Sequence, residues 1–308
     1  MLKRRSRLAP SPTGSLHLGN ACSFLINWAL AKQHNWELLF RLEDIDGPRK
    51  KIETMQESQN IVRWLGLDWD GPVQLQSEGI SHSKQALELL IKQDKAYHCT
   101  LSRAQFELAS SAPHDDDTTK PQAQRPSNIQ EHNKQSVEGE NWRFVSSGVQ
   151  QRINDVVQGN VQKRNDTDFV LWTKANMPSY QLAVVVDDHR QGITDVVRGR
   201  DLLESASWQE ELYRALGWKP PNWWHLPLVV GEDGRRLAKR HGDTRIATYK
   251  SKGVSPERII GLFGAWCGIQ TSLSPMKAKK FSEELQLKEL PKEKITFTSK
   301  EEQWLLEY

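Results

Sequence analysis

The sequence predicts an α/β protein built on a parallel sheet, and three observations carry the prediction. The first is RLAPSPTGSLHLGN at 7–20. It packs two prolines, two glycines and several hydroxyls into a turn that enters an amphipathic helix with Leu18, Cys22, Leu25 and Ala29 on one face. The second is WELLFRL at 36–42, a short apolar run bounded by polar residues, as a buried parallel strand would be. The third is a pair of similar runs, LAVVV at 182–186 and LPLVV at 226–230, separated by helical sequence. Strand, turn, helix and strand at the opening spacing make a βαβ unit.

The 308 residues suffice for one large domain or two smaller ones with a proper core. A hydrophobic share of 37% and a charged share of 26% mark a soluble, globular chain. The net charge of +3 permits a polyanionic partner without demanding one, because local patches count for more than the sum. Most of the 12 tryptophans should serve packing. Cys22, Cys99 and Cys267 are sparse and odd in number, which argues against a disulfide scaffold and for a reducing compartment. Met1–Pro10 is basic with no apolar stretch behind it, so no signal peptide is expected, nor does any run reach the length of a membrane span. The expectation is a cytoplasmic protein with no membrane partner.

In chain order, Pro10, Pro12, Thr13 and Gly14 punctuate a turn, and His17–Asn20 form the first turn of the helix. A helix start offers backbone N–H groups and the positive end of a dipole, which suit a phosphate. Taken alone, the stretch is equally an ordinary strand–turn–helix junction. Glu43, Asp44 and Asp46 follow the 36–42 strand, at the carboxyl end where open α/β sheets bind ligands; a solvated acidic loop closed by Gly47–Pro48 is the plainer alternative. Helices are expected over Lys51–Leu65 and Ser81–Gln93, with a turn at Leu67–Gly71 between them. Residues 104–141 hold few large apolar side chains and should be loop or mobile. Trp142–Val145, Val149–Ile153 and Val156–Val161 read as short antiparallel strands, within an insertion over 98–177 that splits a nucleotide-binding sheet. Phe169–Trp172 marks the return. Leu182–Val186 reads as a buried strand capped by Asp187, Asp188 and His189, and Leu202–Leu216 as a helix. Leu226–Val230 is a further strand that leads through the tight-turn pair Asp233–Gly234 into a cationic, exposed loop, GEDGRRLAKRHGD at 231–243. Ser255 caps a helix with Pro256 at its first position, and 270–308 is helical in composition.

HLGN at 17–20 resembles the HIGH signature of class I aminoacyl-tRNA synthetases, and RRLAKRHGD at 235–243 resembles their KMSKS loop in its glutamyl form. RLAPSPTG, RLEDIDGPR, PSYQLAVVVDDH and DVVRGRD are similar to the glutamyl pattern, in the same order, across 7–243. The short stretch beyond the basic loop makes the chain resemble the glutamyl-Q tRNA(Asp) synthetases, stand-alone catalytic paralogues of the glutamyl enzymes. The resemblance implies a class I synthetase Rossmann-like parallel sheet, with an inserted α/β acceptor-type subdomain and a short helical C-terminal extension. The halves of the catalytic domain would be 1–97 and 178–245, the insertion 98–177 and the extension 246–308. The implied reaction is ATP-dependent formation of glutamyl-adenylate, then transfer of glutamate to the queuosine base of tRNA(Asp). The partners are therefore L-glutamate, ATP with its Mg2+, and queuosine-bearing tRNA(Asp), with a monomer as the working expectation.

Adenylation expels pyrophosphate, so positioning and charge stabilisation dominate its chemistry. His17 can donate to phosphate, Gly19 allows close approach, and Asn20 offers an amide; the resemblance makes His17, Asn20 and Lys239 catalytic. Lys239 would follow the departing charge on its flexible stem. Arg236 replaces the first lysine of the family loop and keeps its charge, while Ala238 replaces the serine and loses a hydrogen bond. The resemblance gives Arg7, Tyr180 and Arg198 to the glutamate side-chain carboxylate and Ser11 and Glu43 to its amino group, and counts Leu8, Ala9 and Pro10 among the glutamate-binding residues. A neutral glutamine would leave a buried arginine unpaired at a cost of about 2–5 kcal/mol, enough for discrimination. An ion pair of Arg198 with Asp195 or Asp201 is the alternative.

Asp187–His189 lack partner spacing for a metal, and no ligand is assigned there. Zinc is doubtful. Relatives often carry Cys-x-Cys near YHC, whereas Cys99 is followed by Thr100 and Leu101 and is at most a remnant ligand; His98, His114 and His132 are conceivable substitutes without fixed spacing. Arg143, Arg152, Lys163, Arg164 and Lys174 are candidates for a phosphate-facing surface with tryptophans as stacking platforms; a solvated face over packed tryptophans is the equal alternative. Two other readings stay open: a truncated glutamyl-tRNA synthetase acting on tRNA(Glu), and a catalytically inactive RNA-binding paralogue. Neither a P-loop nor a GxGxxG motif is present.

Overall fold

The computed structural model describes residues 3–11, 16–45, 52–100, 125–136, 139–237 and 243–307. The Pro12–Gly14 turn, Asp46, the 104–124 part of the polar segment with His114, and Ala238 and Lys239 of the basic loop lie outside the described residues.

Along the chain the elements are β1 (Arg5–Leu8), α1 (Leu18–His34), β2 (Glu37–Leu42), α2 (Ile52–Trp64), β3 (Gln74–Leu75), α3 (Ile80–Lys92) and β4 (Ala96–Cys99). Then come α4 (Ile129–Asn133), β5 (Asn141–Phe144), β6 (Gln150–Asp155), β7 (Gly159–Arg164), β8 (Phe169–Trp172) and α5 (Tyr180–Arg190). They continue as β9 (Asp195–Gly199), α6 (Leu203–Ala215), β10 (Asn222–Leu226), β11 (Leu228–Val230), α7 (Ile246–Ser251), α8 (Pro256–Trp266), α9 (Ala278–Glu284), β12 (Lys294–Thr296) and α10 (Ser299–Leu306). The chain divides into two compact units: Met1–Leu75 with Asp195–Arg200 and Trp224–Tyr308, and Gln76–Thr194 with Asp201–Trp223.

In the first unit β1, β2 and β3 pair in parallel, with Arg7 opposite Leu39 and Arg41 opposite Gln74. The α/β expectation is met here. Five of the six residues of β2 are buried, as a strand covered on both faces requires. The first helix buries Leu18, Cys22, Leu25 and Ala29 as the spacing predicts, and ends on Asn35 in the left-handed conformation. β9 and the Trp224–Leu226 part of β10 lie side by side. Asp195 on β9 is wholly buried; it accepts from the Arg4 guanidinium and from Trp224 Nε1 at 2.9 Å.

Two expectations change in this unit. The run 226–230 is broken at Pro227, which has no N–H to give a ladder, so β10 ends at Leu226 and β11 begins at Leu228. The 270–308 segment is not wholly helical. Its β12 pairs in parallel with β11, Val229 opposite Ile295, and Phe297 N donates to Val230 O at 2.8 Å.

In the second unit β4, β5 and β8 form an antiparallel sheet, and β6 and β7 an antiparallel hairpin. The strand expected over Val156–Val161 starts later, at Gly159. Asp155 Oδ1 accepts from the N–H groups of Val157 and Gln158, at 2.9 and 2.7 Å, and so holds those residues in a turn. The largest correction is Leu182–Val186, which is helical, not a strand. Ser179 caps α5 by accepting from Leu182 N, and the helix runs to Arg190. Its Gln181–Asp188 stretch is buried throughout against α3, α6 and β8. An apolar run buried on every side has no period to read, so pattern alone cannot separate helix from strand. Asp187, Asp188 and His189 therefore lie on the last turns of a helix.

Candidate active site

The opening stretch and the flank of the basic loop meet in the first unit. His17 is the N-cap of α1, extended at φ −88° and ψ 164°. Leu18 N donates to Thr244 O at 3.0 Å, Ile246 N donates to Leu16 O at 2.9 Å, and His17 pairs with Arg245 in an antiparallel bridge. His17 Nδ1 lies 3.1 Å from Thr244 Oγ1. Burial holds the imidazole below its ordinary pKa; Asp243 opposes this, while Arg245 and Arg236 add to it. His17 is thus a neutral, half-buried ring within electrostatic reach of charges from both ends of the basic loop.

Gly19 has a packing reason as well as the expected one. A Cβ there would stand 3.3 Å from Val229 Cβ, a tight contact that would require the Val229 side chain to give by a few tenths of an ångström. Asn20 is exposed on the first turn. The loop after β11 is the expected tight turn: Gly234 N donates to Gly231 O, Gly231 N to Arg235 O, both at 2.9 Å, and Gly234 takes φ +73°. Arg236 is exposed and forms a bridge with Val230.

A second group gathers along the strands. Arg7 on β1 is 4% exposed, and its carbonyl accepts from Asn27 Nδ2 of α1 at 3.0 Å. Leu8 and Pro10 are buried, while Ala9 and Ser11 are half-buried beside them. Glu43 N donates to Pro10 O at 3.2 Å, which ties the opening stretch to the carboxyl end of β2. The wholly buried Arg41 donates from Nη2 to Glu43 Oε1 at 3.2 Å. Arg198 on β9 is 6% exposed and donates from Nε to His225 Nε2 at 3.0 Å. Tyr180 opens α5 in the other unit, half-buried.

Asn27, Arg41, Thr244 and His225 carry these contacts, and the sequence reading missed all four. Each sits among apolar neighbours or beside a motif, and a buried polar side chain within a strand, as at Arg41 and His225, was the available signal.

The residues weighed for metal binding have protein partners of their own. His189 stacks on Trp218 with centroids 3.9 Å apart, and Arg190 Nη2 bonds Asp187 Oδ1 at 3.2 Å. Among the described residues no three His, Cys, Asp or Glu side chains stand together as a metal would need. His98 and His132 stack at 4.0 Å, and each ring Nε2 lies 2.9 Å from the other's carbonyl oxygen, while His98 Nδ1 lies 2.6 Å from Glu140. Cys99 is buried nearby on β4. These histidines are committed to protein partners, and the described residues do not fit a four-ligand zinc.

Of the basic candidates, Arg143 is buried and donates to the carbonyl of Asp168. Lys174 follows β8, and its Nζ donates to Thr100 O at 3.4 Å. On the β6–β7 hairpin the pleat sorts the other three. Gln150, Arg152 and Asn154 are exposed on β6, opposite Arg164, Gln162 and Asn160 of β7. Lys163 points to the other face and sits 3.6 Å from Glu204. Arg164 bonds its neighbour Asp166 at 2.6 Å.

Residues 3–304 match the family described as tRNA synthetases class I (E and Q), catalytic domain. A glutamyl-Q tRNA(Asp) synthetase of Rhodopirellula baltica is 40% identical over 284 residues, covering 87% of this chain and 85% of the relative. One from Symbiobacterium thermophilum is 35% identical, covering 94% of each. A glutamate–tRNA ligase 2 of Ehrlichia ruminantium is 37% identical, but only 54% of its length is matched. Among solved structures, a glutamate tRNA ligase from Elizabethkingia meningosepticum superposes with a TM-score of 0.79 at 27% identity, over 98% of this chain and 68% of that one.

Proposed function

Because the chain belongs to the class I tRNA synthetase (E and Q) catalytic-domain family, we propose that it joins L-glutamate to ATP and passes the glutamyl group to queuosine in tRNA(Asp). It is a ligase, and activation of glutamate for transfer to tRNA is its chemistry. The observation that carries the residue assignment is the joining of His17 to Thr244 and Arg245. Two loops more than two hundred positions apart in sequence there flank one helix start.

The glutamate carboxylate attacks the α-phosphorus and pyrophosphate leaves. A Thr244 hydroxyl that donates to His17 Nδ1 puts the ring proton on Nε2, where it serves a phosphate oxygen. Arg236 and Lys239 balance the charge that builds on the leaving group, and Gly19 and Asn20 border the nucleotide. Mg2+ would come with ATP and add positive charge at the phosphates. Arg7 and Arg198 supply buried positive charge for the side-chain carboxylate, and Glu43, held by Arg41, takes the ammonium with Ser11.

The exposed β6–β7 face carries two guanidiniums and four amides, side chains that suit an RNA backbone and unpaired base edges. The queuosine acceptor is supported by the two relatives of that name, each matched over most of its length.

Glutamate-dependent ATP–pyrophosphate exchange without RNA tests the first step, and transfer to modified against unmodified tRNA(Asp) tests the second. Exchange without RNA, followed by transfer to the modified tRNA alone, is the expected result. Exchange that requires tRNA(Glu) would replace this reading with that of a tRNA(Glu) ligase.

A further inference from the structure

Arg198 and His225 face each other on the neighbouring strands β9 and β10, with Arg198 Nε 3.0 Å from His225 Nε2. His225 is wholly buried. An arginine Nε always carries hydrogen, so the ring nitrogen opposite must accept. The histidine proton therefore belongs on Nδ1, and the ring is neutral while this bond is made.

We propose that His225 is the positioning residue of the amino-acid pocket, holding the Arg198 guanidinium in the plane that a bidentate carboxylate must share. The inference rests on the reading that Arg198 receives the glutamate side chain. An acceptor at Nε fixes the roll of the guanidinium about its stem, the degree of freedom that otherwise spoils fork-to-fork pairing. The chemistry of the acceptor matters as much as its place. A carboxylate at position 225 would hold the arginine equally well but cancel its charge, and charge is what separates glutamate from glutamine. A neutral imidazole orients without neutralising. A leucine would fill the space and leave Arg198 Nε short of this acceptor inside the protein, so the guanidinium would turn toward other partners.

The test is glutamate-dependent exchange in full-length H225Q, H225L, H225E and R198L, with KM measured separately for glutamate and for ATP. Each variant is checked by thermal unfolding. H225Q keeps a neutral acceptor and should hold KM for glutamate near that of the parent. H225L should raise it about tenfold, the loss expected for a hydrogen bond to a charged group, with KM for ATP unchanged. H225E should raise it further and narrow the preference for glutamate over glutamine. In the parent protein, 15N spectra of labelled histidine should place the ring proton on Nδ1. These spectra, with the H225Q and H225E pair, decide the matter even if H225L fails to fold. Parent-like glutamate affinity and selectivity in H225E, or a proton on Nε2, overturns the proposal. If R198L raises KM for glutamate while the position-225 variants do not, the positioning role falls and the Arg198 assignment stands. If R198L changes nothing, both fall.

Discussion

Arg7 and Arg198 stand 4% and 6% exposed on strands, whereas Arg236 is exposed beyond a tight turn and His17 half-buried at a helix start. The proposed glutamate end is thus built on backbone ladders and fixed partners: Asn27 for the Arg7 carbonyl, Arg41 for Glu43, His225 for Arg198. The proposed phosphate end is built on a helix terminus and a loop. The difference follows from what each end must do. A site that rejects a neutral isostere needs a desolvated charge whose pairing is all or nothing. A site that follows a departing pyrophosphate needs donors able to move with it. Rigidity serves selection, and reach serves the chemical step.

Substitutions at the two ends should therefore fail in different ways. The largest effect is expected for R7L, which should lower kcat/KM for glutamate by about 10²- to 10³-fold, mostly through KM, as loss of a buried charge partner implies. Parent-like exchange kinetics in R7L would erase the contrast. H17A should lower kcat by about 10²-fold with little change in KM for glutamate, the signature of a group that acts on developing charge. Saturation kinetics of exchange distinguish the two patterns. Next in size, the double variant R152A/R164A should weaken transfer to tRNA by about tenfold and flatten its salt dependence, with RNA-independent exchange as the internal reference. K163A should have the smallest effect on transfer, because Lys163 lies on the opposite face beside Glu204. A K163A defect as large as that of the double variant would show that the pleat does not sort the basic residues.

Acid sharpens the same contrast. The His17 pKa is depressed in the fold, so between the ordinary histidine value near 6.5 and its lowered value the unfolded chain binds more protons. The stability from a neutral His17 is therefore complete above about 6.5 and is lost as pH falls through that window. Thermal unfolding of H17Q should vary less with pH there than that of the parent, and equal slopes would contradict the burial of the ring.

More of the proposed phosphate end than of the proposed glutamate end is written in consecutive residues, for a physical reason. The start of α1 at Leu18 and the Asp233–Gly234 turn are local devices, written in consecutive residues. The partners of the glutamate end are set by register between distant strands, and His225 meets Arg198 only because β10 lies beside β9. The same limit explains α5. LAVVV is enclosed by α3, α6 and β8, and enclosure removes the polar face that would have revealed a helical period. Arg143 and Arg152 read alike in sequence as basic residues near short strands, yet one is buried against Asp168 O and the other is exposed.

The parallel pairing of β11 with β12 has a consequence for synthesis. Leu228–Val230 launches the basic loop, and its ladder neighbour Lys294–Thr296 is translated only after α7, α8 and α9 have been made. A ribosome that stalls anywhere between 244 and 293 leaves a nascent chain holding every motif of the catalytic pattern but with an open edge at β11. Competence should therefore arrive late and abruptly during translation, and truncated products should persist as inert chains rather than as partly active ones.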